Sequence, residues 1–230
     1  MIARVWSQLR DHPSRWLLAI VLLFMIVPGI DLGVSSWFHD PASGWRSGGF
    51  LEFVRRVIPT VIVASFVFCL VLWVAGVWYE QWFWGVTTPR ISYLMVTLLA
   101  GPGLLVETVL KPNWGRARPK DITLFGGDQP FTPPVWVADA CERNCSFVSG
   151  HAAVAYWVTA YAFLASPPWR TPAIAAAFLF GCAVGLVRIM QGAHFLSDVA
   201  FAAIIVVGIN VLAYRMMFER KLLRRFIGES

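Results

Sequence analysis

The chain has 230 residues, of which 58% are hydrophobic and 14% charged, and its formal net charge is +6. Soluble domains run near about 45–50% apolar and about 25% charged, so this composition excludes an ordinary soluble globule. The basic residues form no aromatic-interleaved polar surface, which excludes nucleic acid as a partner and assigns the excess charge to anionic lipid headgroups.

Six stretches contain no Asp, Glu, Lys or Arg: 16–30, 57–79, 91–106, 144–169, 171–187 and 199–214. A spanning helix needs about 20 mostly apolar residues. The second stretch reaches that alone, and the others reach it with a polar residue or two at headgroup level. The fold class is therefore an all-α polytopic membrane protein, a six-transmembrane-helix bundle forming a single domain over residues 1–230.

In chain order, helix one is expected over 16–35. Arg4, Arg10 and Arg15 ahead of an apolar run have the charge pattern of a signal peptide, but no small-x-small cleavage site follows, so the helix is read as uncleaved. Ser35-Ser36, Asp40-Pro41 and Gly44 break the chain. Helix two is expected over 57–79, and the tryptophan-rich turn at 81–90 belongs at a membrane interface. Helix three is expected over 91–110, kinked at Gly101-Pro102-Gly103. A long loop, 111–147, follows, rich in Pro, Gly and Asp and with room for a short amphipathic stretch. Helices four, five and six are expected over 148–166, 172–190 and 197–217. No internal repeat or low-complexity segment is present.

Placing the amino terminus in the cytoplasm leaves the basic residues nearly even on the two sides. Several on the far side fall inside the chemical clusters described next. The termini decide the orientation, with Arg4, Arg10 and Arg15 at one end and Arg215, Arg220, Lys221, Arg224 and Arg225 at the other, so both termini are expected in the cytoplasm. Cys69 and Cys182 sit in apolar runs as packing residues. Cys141 and Cys145 lie in the long loop, where an oxidising compartment would close a disulfide between them.

This map brings the ends of helices three and five and the starts of helices four and six to one face. Three clusters sit there. Lys111-Pro-Asn-Trp-Gly-Arg116-Ala-Arg118-Pro119 supplies cations. Ser146-Phe-Val-Ser149-Gly150-His151 places Ser149 and Gly150 at a helix start, where backbone N–H groups can hold an anion. Arg188-Ile-Met-Gln-Gly-Ala-His194-Phe-Leu-Ser-Asp198 supplies a third cation, an imidazole and a carboxylate. Arginine forks match phosphate oxygens and lysine acts as a point charge, so Lys111, Arg118 and Arg188 with Ser149 and Gly150 form a phosphate site. His194 and Asp198, four apart, are expected on one helical face with the carboxylate orienting an activated nucleophile, leaving His151 as general acid. Taken singly, the first cluster could be headgroup anchors, and His194 with Asp198 a satisfied pair inside the bundle. Glu107, one turn before Lys111, leaves open an ion pair with Lys111 or a neighbouring arginine, headgroup exposure, or a substrate contact.

Together the clusters resemble the type 2 phosphatidic acid phosphatase (PAP2) superfamily, whose pattern runs K-x6-R-P, then P-S-G-H, then S-R-x5-H-x3-D. Val148 replaces the proline of the second part and Val187 the serine of the third. The resemblance implies that His194 attacks phosphorus, that Asp198 orients it, that His151 protonates the leaving oxygen, and that neither metal nor cofactor is needed. It also implies a membrane lipid phosphate as substrate, with no obligate protein partner. The wording around Ser149 is similar to the lipid A phosphatase branch, more than to the undecaprenyl-diphosphate or phosphatidylglycerophosphate branches. That implies a bacterial inner membrane and an active site on its periplasmic face. A lipid phosphotransferase shares the same intermediate, and a phosphate-binding transporter or scaffold is the alternative outside enzymes.

Overall fold

The computed structural model describes residues 13–219. Arg4, Arg10, Arg220, Lys221, Arg224 and Arg225, which orient the chain in the sequence reading, lie outside the described residues. The helices are α1 (Pro13–Ile26), α2 (Gly29–Ser36), α3 (Gly49–Trp78), α4 (Thr88–Asn113), α5 (Gly150–Trp157), α6 (Thr159–Phe163), α7 (Pro167–Met190) and α8 (Leu196–Phe218). A two-residue antiparallel hairpin, β1 (His39–Asp40) and β2 (Gly44–Trp45), joins α2 to α3.

The all-α membrane class holds, but the six expected spans are not alike. By length and composition α3, α4, α7 and α8 can each cross a membrane, and α1 with α2, bent by 77° to one another, has the composition of a broken span or a re-entrant loop. Pro28 lies at the bend, where a proline has no N–H to donate and crowds the preceding turn. Helix one of the sequence reading is thus two helices. The expected fourth span is helical too, but it is split at Val158 and shorter than 148–166. Thr159 Oγ1 donates to the Tyr156 carbonyl at 2.8 Å, a local bond that competes with the helical ladder.

Helix α3 starts eight residues before the expected 57. The charges that read as its end are paired along the helix: Glu52 accepts from Arg55 Nε at 2.7 Å and from Arg56 Nε at 2.5 Å. In α4 the segment Leu99–Leu110 winds as a π-helix around Pro102, so the expected kink is absorbed as wider turns. Loop 114–149 contains 3₁₀ turns at Pro119–Asp121 and Thr123–Phe125 in place of an amphipathic helix.

Helix α5 is the hub, touching α3, α4, α7 and α8. Its small residues Ala152, Ala153 and Ala155 are fully buried. Glycines let neighbours approach: a Cβ on Gly181 would lie 2.3 Å from Tyr156, and one on Gly185 would lie 2.3 Å from Val199. Polar bonds tie the same helices in the apolar interior. Trp157 Nε1 donates to Thr97 Oγ1 at 2.9 Å, and Asn210 Nδ2 donates to Thr159 Oγ1 at 2.8 Å. Helix α3, by contrast, has 6% of its apolar window buried against 50% for α8, so α3 is a peripheral helix facing lipid. Exposed Trp78 and Trp84 at one end of the bundle, and Trp37 and Trp136 near the other, occupy positions suited to the two interfaces.

Candidate active site

The three clusters do meet, at the end of the bundle where α4 and α7 finish and α5 and α8 begin. The loop residue Ser146 joins them. Its N–H donates to the Arg116 carbonyl at 2.9 Å, its carbonyl faces His194 Nδ1 at 2.7 Å, and its hydroxyl donates to Asp198 Oδ2 at 2.5 Å.

His194 is 1% exposed. A carbonyl oxygen can only accept, so the nitrogen facing Ser146 carries the proton and Nε2 keeps its lone pair. His194 lies in the loop just before α8 rather than on its first turn, and its Nδ1 is 3.8 Å from Asp198 Oδ2. The ring is therefore aimed by a backbone carbonyl, with the carboxylate acting on it mainly through its field. Asp198 is occupied elsewhere: Oδ1 accepts from Arg116 Nη1 at 2.5 Å, and Oδ2 accepts from the Phe195 N–H at 2.8 Å as well as from Ser146. Burial pushes the His194 pKa below its ordinary value. Asp198 opposes that shift without cancelling it, and Arg118 and Arg188 add smaller pushes downward.

The residues expected to bind phosphate stand as follows. Arg188 is 5% exposed, bonds Gln191 Oε1 through Nη1, and has a buried Nε without a partner. Arg118 donates from Nε and Nη2 to the Asn144 carbonyl at 3.0 and 2.5 Å, and burial lowers its pKa. Lys111 is held by Glu107, with Nζ 2.9 and 3.1 Å from the two carboxylate oxygens, which resolves the role left open for Glu107 in favour of the ion pair. Ser149 is the N-cap of α5, its Oγ accepting from Ala152 N at 3.4 Å, while its own N–H goes to the Asp198 carbonyl. Gly150, at the first helical position, touches the Glu107–Lys111 pair: a Cβ there would lie 2.0 Å from Glu107 Oε1 and 3.2 Å from Lys111 Nζ. His151 follows on the first turn of α5, half-buried.

A second layer escaped the sequence reading. Arg116, grouped there with possible headgroup anchors, is fully buried. Its fork donates to Asp198 and Ser197 Oγ from Nη1, to Asp31 from Nη2 at 2.8 Å, and to the Thr132 carbonyl from Nε at 2.9 Å. Its guanidinium also lies 4.3 Å from the Phe195 ring centroid. Asp31, on α2, is equally buried and accepts from the Ser197 N–H and Oγ at 2.8 and 2.5 Å. A chain of contacts thus runs from Asp31 through Arg116, Asp198 and Ser146 to His194. The signal for Asp31 was a lone carboxylate at the end of an apolar run, which needs a buried partner. Cys141 and Cys145, in the loop that presents Asn144 to Arg118, are joined by a disulfide with Cα atoms 5.6 Å apart. Among the described residues no group of three or more His, Cys, Asp or Glu side chains could hold a metal ion.

Residues 90–222, more than half of the chain, match the model of the PAP2 superfamily. The chain belongs to the PAP2 superfamily. It is 33% identical over 207 residues to the lipid A 4'-phosphatase of Francisella tularensis subsp. novicida (strain U112), covering 87% of this chain and 91% of that one. It is 34% identical over 201 residues to the lipid A 4'-phosphatase of Rhizobium leguminosarum, covering 79% and 84%. No solved structure matches it. This PAP2 protein is a membrane-embedded phosphoric ester hydrolase acting on lipid, and its motifs carry the residues that converge around His194.

Proposed function

We propose that this PAP2 phosphatase removes a phosphate monoester from lipid A, through a covalent phosphate on His194, at the periplasmic face of a bacterial inner membrane with both termini in the cytoplasm. The observation that carries the mechanism is the His194 ring. Its Nδ1 is engaged by the Ser146 carbonyl, so Nε2 has its lone pair free beside Arg118 and Arg188. The curated relatives support the substrate, since both are named for lipid A 4'-phosphate removal. The Cys141–Cys145 disulfide supports the periplasmic face.

In this reading Lys111, Arg118 and Arg188 bind the phosphate oxygens together with the free backbone N–H groups at the start of α5. Nε2 of His194 forms a bond to phosphorus as the bond to the lipid oxygen breaks. The ring becomes cationic, and Ser146 and Asp198 stabilise it through the retained N–H. His151 gives its proton to the leaving lipid oxygen. Burial above all, and then Arg188, His194 and Lys111, hold the His151 pKa down, and the arriving phosphate dianion offsets the cationic part of that shift, which favours the proton on His151. A water deprotonated by His151 then cleaves the phosphorus–nitrogen bond, releasing inorganic phosphate and neutral His194.

Changing the leaving group tests this directly. A lipid alkoxide needs a proton to leave, a contribution of about 10²–10⁴-fold from a general acid, whereas a nitrophenolate leaves without one. His151→Ala should therefore lose most of its turnover of lipid A and much less of its turnover of nitrophenyl phosphate, and His194→Ala should be inactive on both. Equal losses for the two variants on both substrates would refute the separate roles.

A further inference from the structure

The approach to the site carries more positive charge than one phosphate can use. A cavity of about 630 Å³ opens beside Arg118 and Arg188 and is lined also by Arg46, Arg55 and Lys120, with Glu52 as the sole carboxylate in its wall among the described residues. That carboxylate is already bonded to Arg55 and Arg56. Five cations face one acid, and a bound phosphate monoester adds at most two negative charges. Like charges gathered around a half-closed cavity repel one another unless a ligand offsets them.

The cavity wall is built rather than incidental. Trp45 ends the hairpin with its ring pressed on Gly192, which has φ +62° and where a Cβ would meet the indole at 2.3 Å. His39 and Phe125 pack on the same indole at centroid distances of 5.0 and 5.1 Å. This seats Arg46, the next residue, at the rim beside Gln191 and Arg188. Glu52 holds the Arg55 guanidinium by its Nε at 2.7 Å. Trp45 Nε1 is buried without a hydrogen-bond partner. The cavity volume lies in the range of about 300–1,000 Å³ that takes a small organic ligand, so it has room for more than a single ion. Arg46 and Arg55 also lie outside residues 90–222, the part that matches the superfamily, so they add to its shared chemistry.

We propose that Arg46, Arg55 and Lys120 form a second anion subsite, which holds another acidic group of the same substrate molecule while His194 works on the first. The enzyme then prefers lipids whose headgroup carries two anionic groups, phosphate or carboxylate, over otherwise identical lipids carrying one. This rests on the phosphatase reading above.

The test uses the full-length enzyme in zwitterionic detergent, with bisphosphorylated and monophosphorylated lipid A of equal acylation and with nitrophenyl phosphate. The variants are Arg46→Gln with Lys120→Gln, both exposed positions, and separately Arg55→Gln. Hydrogen bonds to charged groups are strong enough that each variant should lose about 10- to 100-fold in kcat/KM on the bisphosphorylated lipid, mostly through KM. Losses should stay within about threefold on the two substrates with one phosphate, which also report that the variants are folded. Equal losses on all substrates, or no loss on any, overturn the subsite. A further arm adds phosphatidylglycerol to the monophosphorylated lipid. If this makes the reaction depend on Arg46 and Arg55, the second anion comes from a neighbouring lipid and the single-molecule proposal is overturned. A wild-type enzyme that releases no phosphate from any lipid defeats the phosphatase reading and the subsite together, whereas an active enzyme with non-discriminating variants defeats the subsite alone.

Discussion

Asp31 lies on a bent helix pair at the amino end of the described chain, so as a membrane anchor it should tolerate replacement by Asn. The geometry says otherwise. Its Oδ1 accepts from the Ser197 N–H at 2.8 Å, and its Oδ2 accepts from Arg116 Nη2 at 2.8 Å and Ser197 Oγ at 2.5 Å. An amide has one oxygen, so in either orientation its NH₂ faces a donor. An unmet buried donor costs about 1–3 kcal/mol, and removing one partner from a buried ion pair raises the loss to about 3–5 kcal/mol. With about 2–4 °C lost per kcal/mol in a chain of this size, Asp31→Asn should lower the melting temperature in detergent by roughly 6–20 °C. Arg116 would then be held by Asp198 and Thr132 with one side of its fork open, and the displacement would pass through Asp198 and Ser146 to His194. We expect kcat to fall tenfold or more, by the same factor on lipid A and nitrophenyl phosphate, with KM nearly unchanged. A double variant with Arg116→Met should cost less than the sum of the single changes, because the two residues share one contact. A melting temperature within about 2 °C of wild type, or a loss confined to the lipid substrate, would refute the reasoning.

Three further measurements probe the site. In the proposed mechanism His194 must attack as the neutral ring, and because burial lowers its pKa below the ordinary 6.5, the neutral form persists as pH falls through that value. The acid limb of kcat/KM on nitrophenyl phosphate, corrected for the ester's own ionisation near about pH 6, should have its midpoint below 6.5, and a midpoint above it contradicts the assignment. Gly150→Ala would collide with the end of the flexible Glu107 side chain rather than with backbone, so it should leave the melting temperature within about 2 °C of wild type. It should nevertheless raise KM several-fold by displacing the Glu107–Lys111 pair, and an unchanged KM would show that this pair does not face the phosphate. Cys141→Ser with Cys145→Ser opens a short loop whose closure is worth about 2 kcal/mol in the unfolded chain. Because Asn144 inside that loop accepts from Arg118, KM should rise more than kcat falls, and an effect on melting temperature alone would confine the disulfide to stability.

The clustering of Lys111, Arg118, Ser149, Gly150, His151, Arg188, His194 and Asp198 at one end of the bundle was readable because they fall at the ends of apolar runs, and phosphate chemistry uses those residue types. The membrane class was readable for the same reason, since lipid tolerates few unpaired charges and helical backbone satisfies its own hydrogen bonds. Helix ends were read less well where charge was taken as a boundary. Glu52, Arg55 and Arg56 looked like the solvent before helix two, yet they pair along α3 and lie inside it.

The partner of each buried charge could not be read. Arg116 and Arg118 stand two apart in one loop and look equivalent as letters, yet one is fully buried between Asp31 and Asp198 while the other approaches the cavity. Likewise the His194–Asp198 spacing implied a direct pair, but the folded chain inserts the Ser146 carbonyl and leaves the carboxylate 3.8 Å away. Sequence alone determined the solvent and the approximate spans and singled out the candidate reacting groups, because these follow from local hydrophobicity and from residue chemistry. Only the tertiary structure decided which groups hold His194, because a buried charge selects its partner by packing across elements as far apart in the chain as Asp31 and Ser197.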